Sequence, residues 1–546
     1  MSTAAVRAPC DEGVIRAAPA PAAETRSGAW VLAAAVLGSS MAFVDGTVVN
    51  VALPILQRAL GADVAGVQWV VEAYALLLSA LLLVGGSLGD RYGRKRIFGL
   101  GVLLFGAASV ACGVAPGIEW LIAGRAVQGV GGALLVPGSL ALISASFPPE
   151  RRGRAIGTWS GFTAIAAGAG PVLGGWLAQE VSWRWIFYVN VPLAAAVLLI
   201  LAFRVDESRD DGAASEPLDV AGAVLATAGL GGVTLALVES ARLGWRSPVI
   251  VAGAAGGVAA LAAFVAVERR ARAPMVPPEL FRSRTFAGAN LLTLLLYAAL
   301  GGAMFFLPFD LIDVQGYGAA AAGAVFLPFI VLMFLLSRWS GGVVDRFGAR
   351  LPLTVGPLVA AAGMALFALP GIGGSYWTTF FPAVAVLGLG MSIAVAPLTT
   401  AVMGAVEARH AGAASGINNA VSRAAGLLAV AAFGLVALAA FGAALPGRLA
   451  AHRVPADVSR TVQAQTVRLA AAAAPASSPP SVRAAADRAV DEAFVHAFRI
   501  VMLTAAALAA ASSAVAWAMI DPARPARSAA STPPGGDPKS AEPPAA

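Results

Sequence analysis

The sequence predicts an all-α polytopic membrane protein of fourteen transmembrane helices, arranged as two six-helix halves plus an inserted helix pair. Three observations carry this. First, 58% of the 546 residues are hydrophobic, only 12% are charged, and the mean hydropathy is +0.79. A soluble domain carries about twice that share of charge, and no soluble fold hides so much apolar surface. Second, the chain divides into fourteen apolar runs, each near the length that crosses a bilayer. Third, a charged motif between two of these runs recurs 255 residues later.

Composition also excludes other classes. The two cysteines, Cys10 and Cys112, are isolated, so neither a disulfide framework nor a Cys-based metal site is expected. His410, His452 and His496 lack metal-ligand spacing. A net charge of +7 and a pI near 10.0 would suggest nucleic acid in a soluble protein. Here the basic residues collect in short loops beside apolar runs, and no nucleic-acid partner is expected. The Gly129–Gly132 cluster lies inside a spanning helix and is no dinucleotide loop. No P-loop, HExxH string or nucleophile elbow occurs, so neither an enzyme nor direct ATP driving is expected. The first apolar run, near Trp30, is too long for a cleavable signal.

The spans are 29–56, 67–88, 97–115, 119–147, 155–179, 183–203, 218–239, 247–267, 286–314, 319–340, 351–369, 376–402, 412–441 and 494–520. Backbone groups cannot go unpaired in lipid, and the runs lack period-2 alternation, so they are helices. With the N-terminus inside, 23 Arg and Lys fall in the tails and inner loops, against four in the short outer loops: Arg58, Arg184, Arg242 and Arg246. That asymmetry puts both termini in the cytoplasm. Four arginines lie within or at the ends of spans: Arg125, Arg338, Arg423 and Arg499.

The expected units follow. Residues 1–28 are a cytoplasmic tail and 29–203 the first six-helix domain. Residues 204–285 hold a polar linker and inserted helices 7 and 8. Residues 286–520 form the second six-helix domain, with an outer loop over 442–493 that is helical in part around 482–493. A Pro/Ser/Ala-rich tail over 521–546 is expected to be disordered.

The internal repeat rests on two pairs. Gly89-Asp90-Arg91-Tyr92-Gly93-Arg94-Lys95-Arg96 follows span 2, and Val344-Asp345-Arg346-Phe347-Gly348-Ala349-Arg350 follows span 10. Glu150-Arg151-Arg152 precedes span 5, and Glu407-Ala408-Arg409 precedes span 13, 257 residues on. Two matches at nearly one offset argue for duplication of a six-helix unit. Parallel halves with a site between them near the midplane describe a rocking secondary transporter.

Asp45 is the sharpest single position. It is the only charged residue between Arg26 and Arg58. A carboxylate deep in a span costs about 2.5–3.5 kcal/mol on insertion scales, a cost retained mainly for function. It is suited to taking up and releasing protons; the alternative is a structural bond within the bundle. Arg125 lies some six residues into span 4, and by distance from the span ends it shares a depth with Asp45. Its alternative is snorkelling to the outer interface.

Span 1 carries Val44-Asp45-Gly46-Thr47-Val48-Val49-Asn50-Val51-Ala52-Leu53-Pro54, and span 4 carries Arg125-Ala126-Val127-Gln128-Gly129-Val130-Gly131-Gly132. Span 5 carries Gly170-Pro171-Val172-Leu173-Gly174-Gly175, followed by Trp183-Arg184-Trp185-Ile186-Phe187. With the Gly89–Arg96 loop, these strings resemble the 14-helix drug:proton antiporters of the major facilitator superfamily, the EmrB/QacA type, from residue 29 to about 520. The resemblance implies a proton-coupled exporter of amphiphilic, cationic or neutral compounds in a bacterial plasma membrane. It would act as a monomer and need no cofactor besides the proton gradient. Uptake of a nutrient and a non-transporting sensor or scaffold are the alternatives.

The resemblance implies proton coupling by Asp45 and Arg125, and an antiporter motif formed by Gly170, Pro171, Gly174 and Gly175. It also implies a gate latch made of Gly89, Asp90, Arg91, Gly93 and Arg94, with Asp345 and Arg346 as a weaker second copy. Asp90 is expected to cap span 13 near Gly412. Asp45, Glu72, Asp310 and Gln128 are the candidate substrate-binding residues. Family members usually carry Tyr and Gln where this chain has Asp310 and Ile312, so Asp310 is read either as an acid in the outer vestibule or as a solvated helix end. Glu72 is read the same two ways. Tyr74, Trp159, Phe162, Tyr297 and Phe306 either line an aromatic pocket or face lipid.

Overall fold

A computed structural model describes residues 28–209, 219–271, 274–407 and 410–522. The described residues contain helices and no strand. Fourteen helices account for the spans: α1 Gly28–Leu60, α2 Val64–Tyr92, α3 Arg94–Gly113, α4 Ile118–Ser146, α5 Pro149–Trp176, α6 Asn190–Arg204, α7 Val220–Leu243, α8 Pro248–Glu268, α9 Arg284–Phe309, α10 Leu327–Phe347, α11 Arg350–Leu366, α12 Phe381–Gly404, α13 Ala411–Ala451 and α14 Pro480–Met519. Thirteen stretches are long and apolar enough to cross a membrane, and α11 is a shorter apolar helix.

Helix ends follow local chemistry. Asp63 accepts from the Gly66 amide at 2.8 Å and Asp219 from the Gly222 amide at 2.7 Å, capping α2 and α7. The repeated motif ends helices in the same way twice. Gly93 (φ 111°) donates to Gly89 O at the end of α2, and Gly348 (φ 75°) donates to Val344 O at the end of α10. Both backbones are left-handed, which glycine adopts at no steric cost.

The duplication is visible in the packing. In the first half α1 pairs with α5 and α6, α2 with α4, and α3 with α4 and α6. In the second half α9 pairs with α13 and α14, α10 with α12, and α11 with α12 and α14. Each pairing recurs eight helices later. The inserted helices α7 and α8 pack on each other, and α7 also lies on α2 and α13, one helix from each half. Trp69 Nε1 on α2 donates to Glu239 on α7 at 3.0 Å.

Two spans differ from expectation. The expected outer loop 442–493 is mostly helix: α13 runs on to Ala451, short helices span Ala456–Gln463 and Thr466–Ala471, and α14 starts at Pro480. The alanine-rich sequence keeps its helix propensity while its charges break the hydropathy pattern. Arg448 on α13 and His452 just past its end each meet Glu492 on α14 at 3.1 Å, tying the two extensions together. Span 10 is split into Ala319–Ala324 and α10, because Pro328 has no N–H to continue the first piece. The ends 1–27 and 523–546, including most of the expected disordered tail, and most of the 204–217 linker lie outside the described residues.

Candidate functional site between the halves

Asp45 on α1 and Arg125 on α4 form a buried ion pair, with side chains 0% and 1% exposed. Asp45 Oδ1 also accepts from Gln128 Nε2 at 3.2 Å and from Asn190 Nδ2 at 3.3 Å. Arg125 Nη1 donates to Gln128 Oε1 at 2.8 Å, and its Nε to Val70 O at 3.0 Å. Gln128 donates further to Ser109 Oγ at 2.8 Å. The guanidinium carbon lies 4.3 Å from the centre of the Tyr74 ring. Five helices, α1 to α4 and α6, therefore hold one charge pair.

Local sequence makes this possible. Arg125 and Gln128, three residues apart, share a face of α4. The glycines after them let α4 approach its neighbours: a Cβ at Gly129 would sit 2.6 Å from Tyr74 O, and one at Gly131 would sit 2.7 Å from the Phe105 amide nitrogen. Asp45 and Arg125 lie at one depth, as their distances from the span ends predict. Asn190 and Ser109 were missed. Their only signal was a polar residue in an apolar run.

The antiporter-motif glycines sit on a seam of three elements. A Cβ at Gly170 would collide with Thr47 on α1, and one at Gly174 would lie 2.6 Å from Val48 O. A Cβ at Gly175 would strike the Ala319 carbonyl across the seam, and one at Gly323 would strike that of Pro171. Thr47 Oγ1 donates to Ala167 O at 3.2 Å. Through the Gly175 and Gly323 contacts the seam packs α5 of one half against the Ala319–Ala324 piece of the other. Arg58 at the end of α1 also pairs with Asp313, beyond α9.

The Gly89–Arg96 loop has a different described partner from the expected one. Asp90 accepts from Arg94 Nε at 2.8 Å, within the loop itself. Glu207 accepts from the Lys95 and Arg96 amides at 2.9 and 3.2 Å and so caps α3. Gly93 leaves room for it: a Cβ there would come within 2.6 Å of the Glu207 carboxyl carbon. Lys95 Nζ donates to Val205 O at 2.7 Å. This loop is thus latched to the segment after α6 in its own half. Arg91 and Arg346 lie over the adjacent rings of Tyr92 and Phe347. The Gly89 backbone faces open space. The side chains of Asp345 and of the first α13 residues, near Gly412, lie outside the described set.

Two cavities lie between the halves. The larger, of about 690 Å³, is walled by α1 and α5 from one half and α9, α10 and α12 from the other. Its lining is apolar, with Phe326, Phe329 and Phe334 prominent and Thr47, Asn50 and Ser392 as polar points. The smaller, of about 230 Å³, lies among α1, α2, α4, α9 and α13. Asn50 borders both. Among the described residues, Arg125 and Arg423 are the charged residues lining them, and no carboxylate does.

The four candidate substrate contacts therefore stand elsewhere. Asp45 and Gln128 lie behind Arg125, bound into its network. Glu72 is 0% exposed and neither oxygen has a hydrogen-bond partner among the described residues. It is one turn from Gln68, which donates to Val430 O on α13 at 2.6 Å, so helix packing buries it. Asp310 is 2% exposed, neither in a vestibule nor solvated. It starts the π turn Asp310–Val314, which packs on the extended α14, and it accepts from Gln315 at 3.4 Å. Of the five aromatic candidates only Tyr74 lines a cavity. Trp159 is buried with its Nε1 on Ser39 Oγ at 3.0 Å, Phe306 is buried, and Phe162 is 54% exposed.

Comparison with known proteins agrees with this architecture. The sequence profile described as Major Facilitator Superfamily matches residues 35–221 and 218–430. Multidrug resistance protein Stp of Mycobacterium tuberculosis is 36% identical over 390 residues, covering 71% of this chain and 72% of that protein. The tetracenomycin C resistance and export protein of Streptomyces glaucescens is 34% identical over 418 residues, covering 75% and 76%. A bacterial homolog of the human lysosomal transporter Spinster, in an inward-facing unoccupied conformation, matches in fold with a TM-score of 0.61 at 18% identity, covering 90% of this chain and 98% of that one. Proteins of this superfamily carry small molecules across membranes and are not enzymes. The chain is a multi-pass membrane transporter of the major facilitator superfamily, in the drug:proton antiporter family that its motifs resemble.

Proposed function

We propose that the chain is a proton-driven exporter of amphiphilic small molecules in a bacterial plasma membrane. It acts as a monomer with both termini in the cytoplasm, and it alternates between inward- and outward-open states. One observation carries the reading: a buried Asp45–Arg125 pair whose guanidinium borders a cavity between the halves. Each charge alone is costly in the membrane, and together they offset much of that cost. A proton taken by Asp45 would leave Arg125 without its counter-ion and loosen the tie between α1 and α4. α1 is also the helix seated against the Gly170–Gly175 seam, so a change there bears on the outer closure.

Direct competition of substrate and proton for Asp45 finds no support in the geometry, because Asp45 lines neither cavity. Coupling would run through Arg125. The resistance and export roles named for the two relatives support outward transport. Among the described residues the lining gives a cationic substrate no carboxylate to meet, so a cation is disfavoured. The test is uptake of amphiphilic dyes into inverted vesicles energised by an imposed pH gradient, with and without a protonophore. Protonophore-sensitive accumulation is expected. Accumulation that ignores the protonophore would contradict proton driving.

A further inference from the structure

Arg423 stands twelve residues into α13, about 18 Å along the helix. It lines the smaller cavity with Ser422 and Tyr74. Among the described residues its buried Nε has no hydrogen-bond partner, and no acid pairs with it. Two other buried arginines differ. Arg125 is neutralised by Asp45, and Arg94, near the inner end, by Asp90. Arg423 is therefore an uncompensated cation at mid-helix depth, where an unpaired arginine is costly. A site that keeps such a charge open to a cavity is built for an anion or a strong acceptor.

The larger cavity completes the picture. It shares the lining residue Asn50 with the smaller one, and its walls are aromatic and aliphatic. About 690 Å³ lies within the range of drug-sized ligand sites. We infer that the two cavities together take an amphiphilic organic acid, with its apolar body against α5, α9 and α10 and its carboxylate or phenolate on Arg423. The guanidinium presents a planar fork that suits a carboxylate. This rests on the exporter reading for the direction of transport but not for binding. An anion leaving in exchange for an entering proton would also carry charge, so the membrane potential would assist export.

The test is equilibrium binding to the purified full-length chain in nanodiscs, with no gradient applied. The probes are 1-pyrenebutyrate, its methyl ester and the corresponding 4-(1-pyrenyl)butylamine, which share one apolar body and differ in charge. Wild type is expected to prefer the acid over both by on the order of tenfold. Arg423→Gln is expected to abolish that preference, and Arg423→Lys to keep part of it. Equal binding of acid and ester, preference for the amine, or no binding of the acid at its solubility limit would each overturn the inference, using wild type alone. An unchanged preference in Arg423→Gln would overturn it as well. Because no proton gradient enters this assay, its outcome is separate from that of the flux test of proton driving.

Discussion

Asp45 on α1 and Arg125 on α4 meet where neither side chain is more than 1% exposed, and Gln128 bonds to both. The arrangement explains why these three polar residues occur in otherwise apolar helices. Each satisfies the others, and the guanidinium keeps one side on a cavity between the halves.

Removing one partner should cost more than removing both. Arg125→Ala leaves an uncompensated buried carboxylate and is expected to lower stability by about 3–5 kcal/mol. The double variant Asp45→Asn with Arg125→Gln is expected to recover most of that loss. Thermal unfolding in detergent measures both. A double variant no more stable than Arg125→Ala would show that the pair is not what holds α1 to α4.

Arg125→Lys tests geometry apart from charge. The native side chain reaches Asp45, Gln128 Oε1 and Val70 O together, and a lysine ammonium cannot reproduce that fork. The variant is expected to insert normally and to lose at least tenfold in proton-driven flux, which is about 1.4 kcal/mol. Native-like flux would reduce Arg125 to a point charge.

Gly175→Val is expected to pry the outer seam open, because a side chain there meets the Ala319 backbone. A cysteine placed at Asn50, in a background lacking Cys10 and Cys112, should then react faster with a membrane-impermeant thiol reagent added outside. Reactivity equal to the parent would mean that the seam does not govern outer access.

Glu207→Ala removes the carboxylate that caps α3. A lost cap costs about 0.5–2 kcal/mol. Faster amide hydrogen exchange is expected at Lys95 and Arg96, with α2 and α4 unaffected. Unchanged exchange would leave the cap without energetic weight.

What was legible in the sequence was periodic or local. Hydropathy gave the spans, the recurrence of Asp90 and Gly93 at Asp345 and Gly348 gave the duplication, and counting from span ends put Asp45 and Arg125 at one depth. The rest depended on packing that no linear pattern carries. Asn190 joins the charge cluster only because α6 starts beside α1. Asp310 is covered because α14 continues a full fourteen residues above the expected start of span 14, from Pro480 rather than 494. Charge in the 442–493 segment looked like a loop, while its alanines kept it helical. Glu207 looked like part of a solvated linker, and its role required the fold of the chain back onto α3.

The most direct measurement of the central claim is substrate-induced proton movement in proteoliposomes holding a pH dye, compared between wild type and Asp45→Asn. The account predicts proton flux on substrate addition in the wild type and none in Asp45→Asn, with that variant still inserted and still binding substrate. Proton flux at the wild-type rate in Asp45→Asn would contradict it.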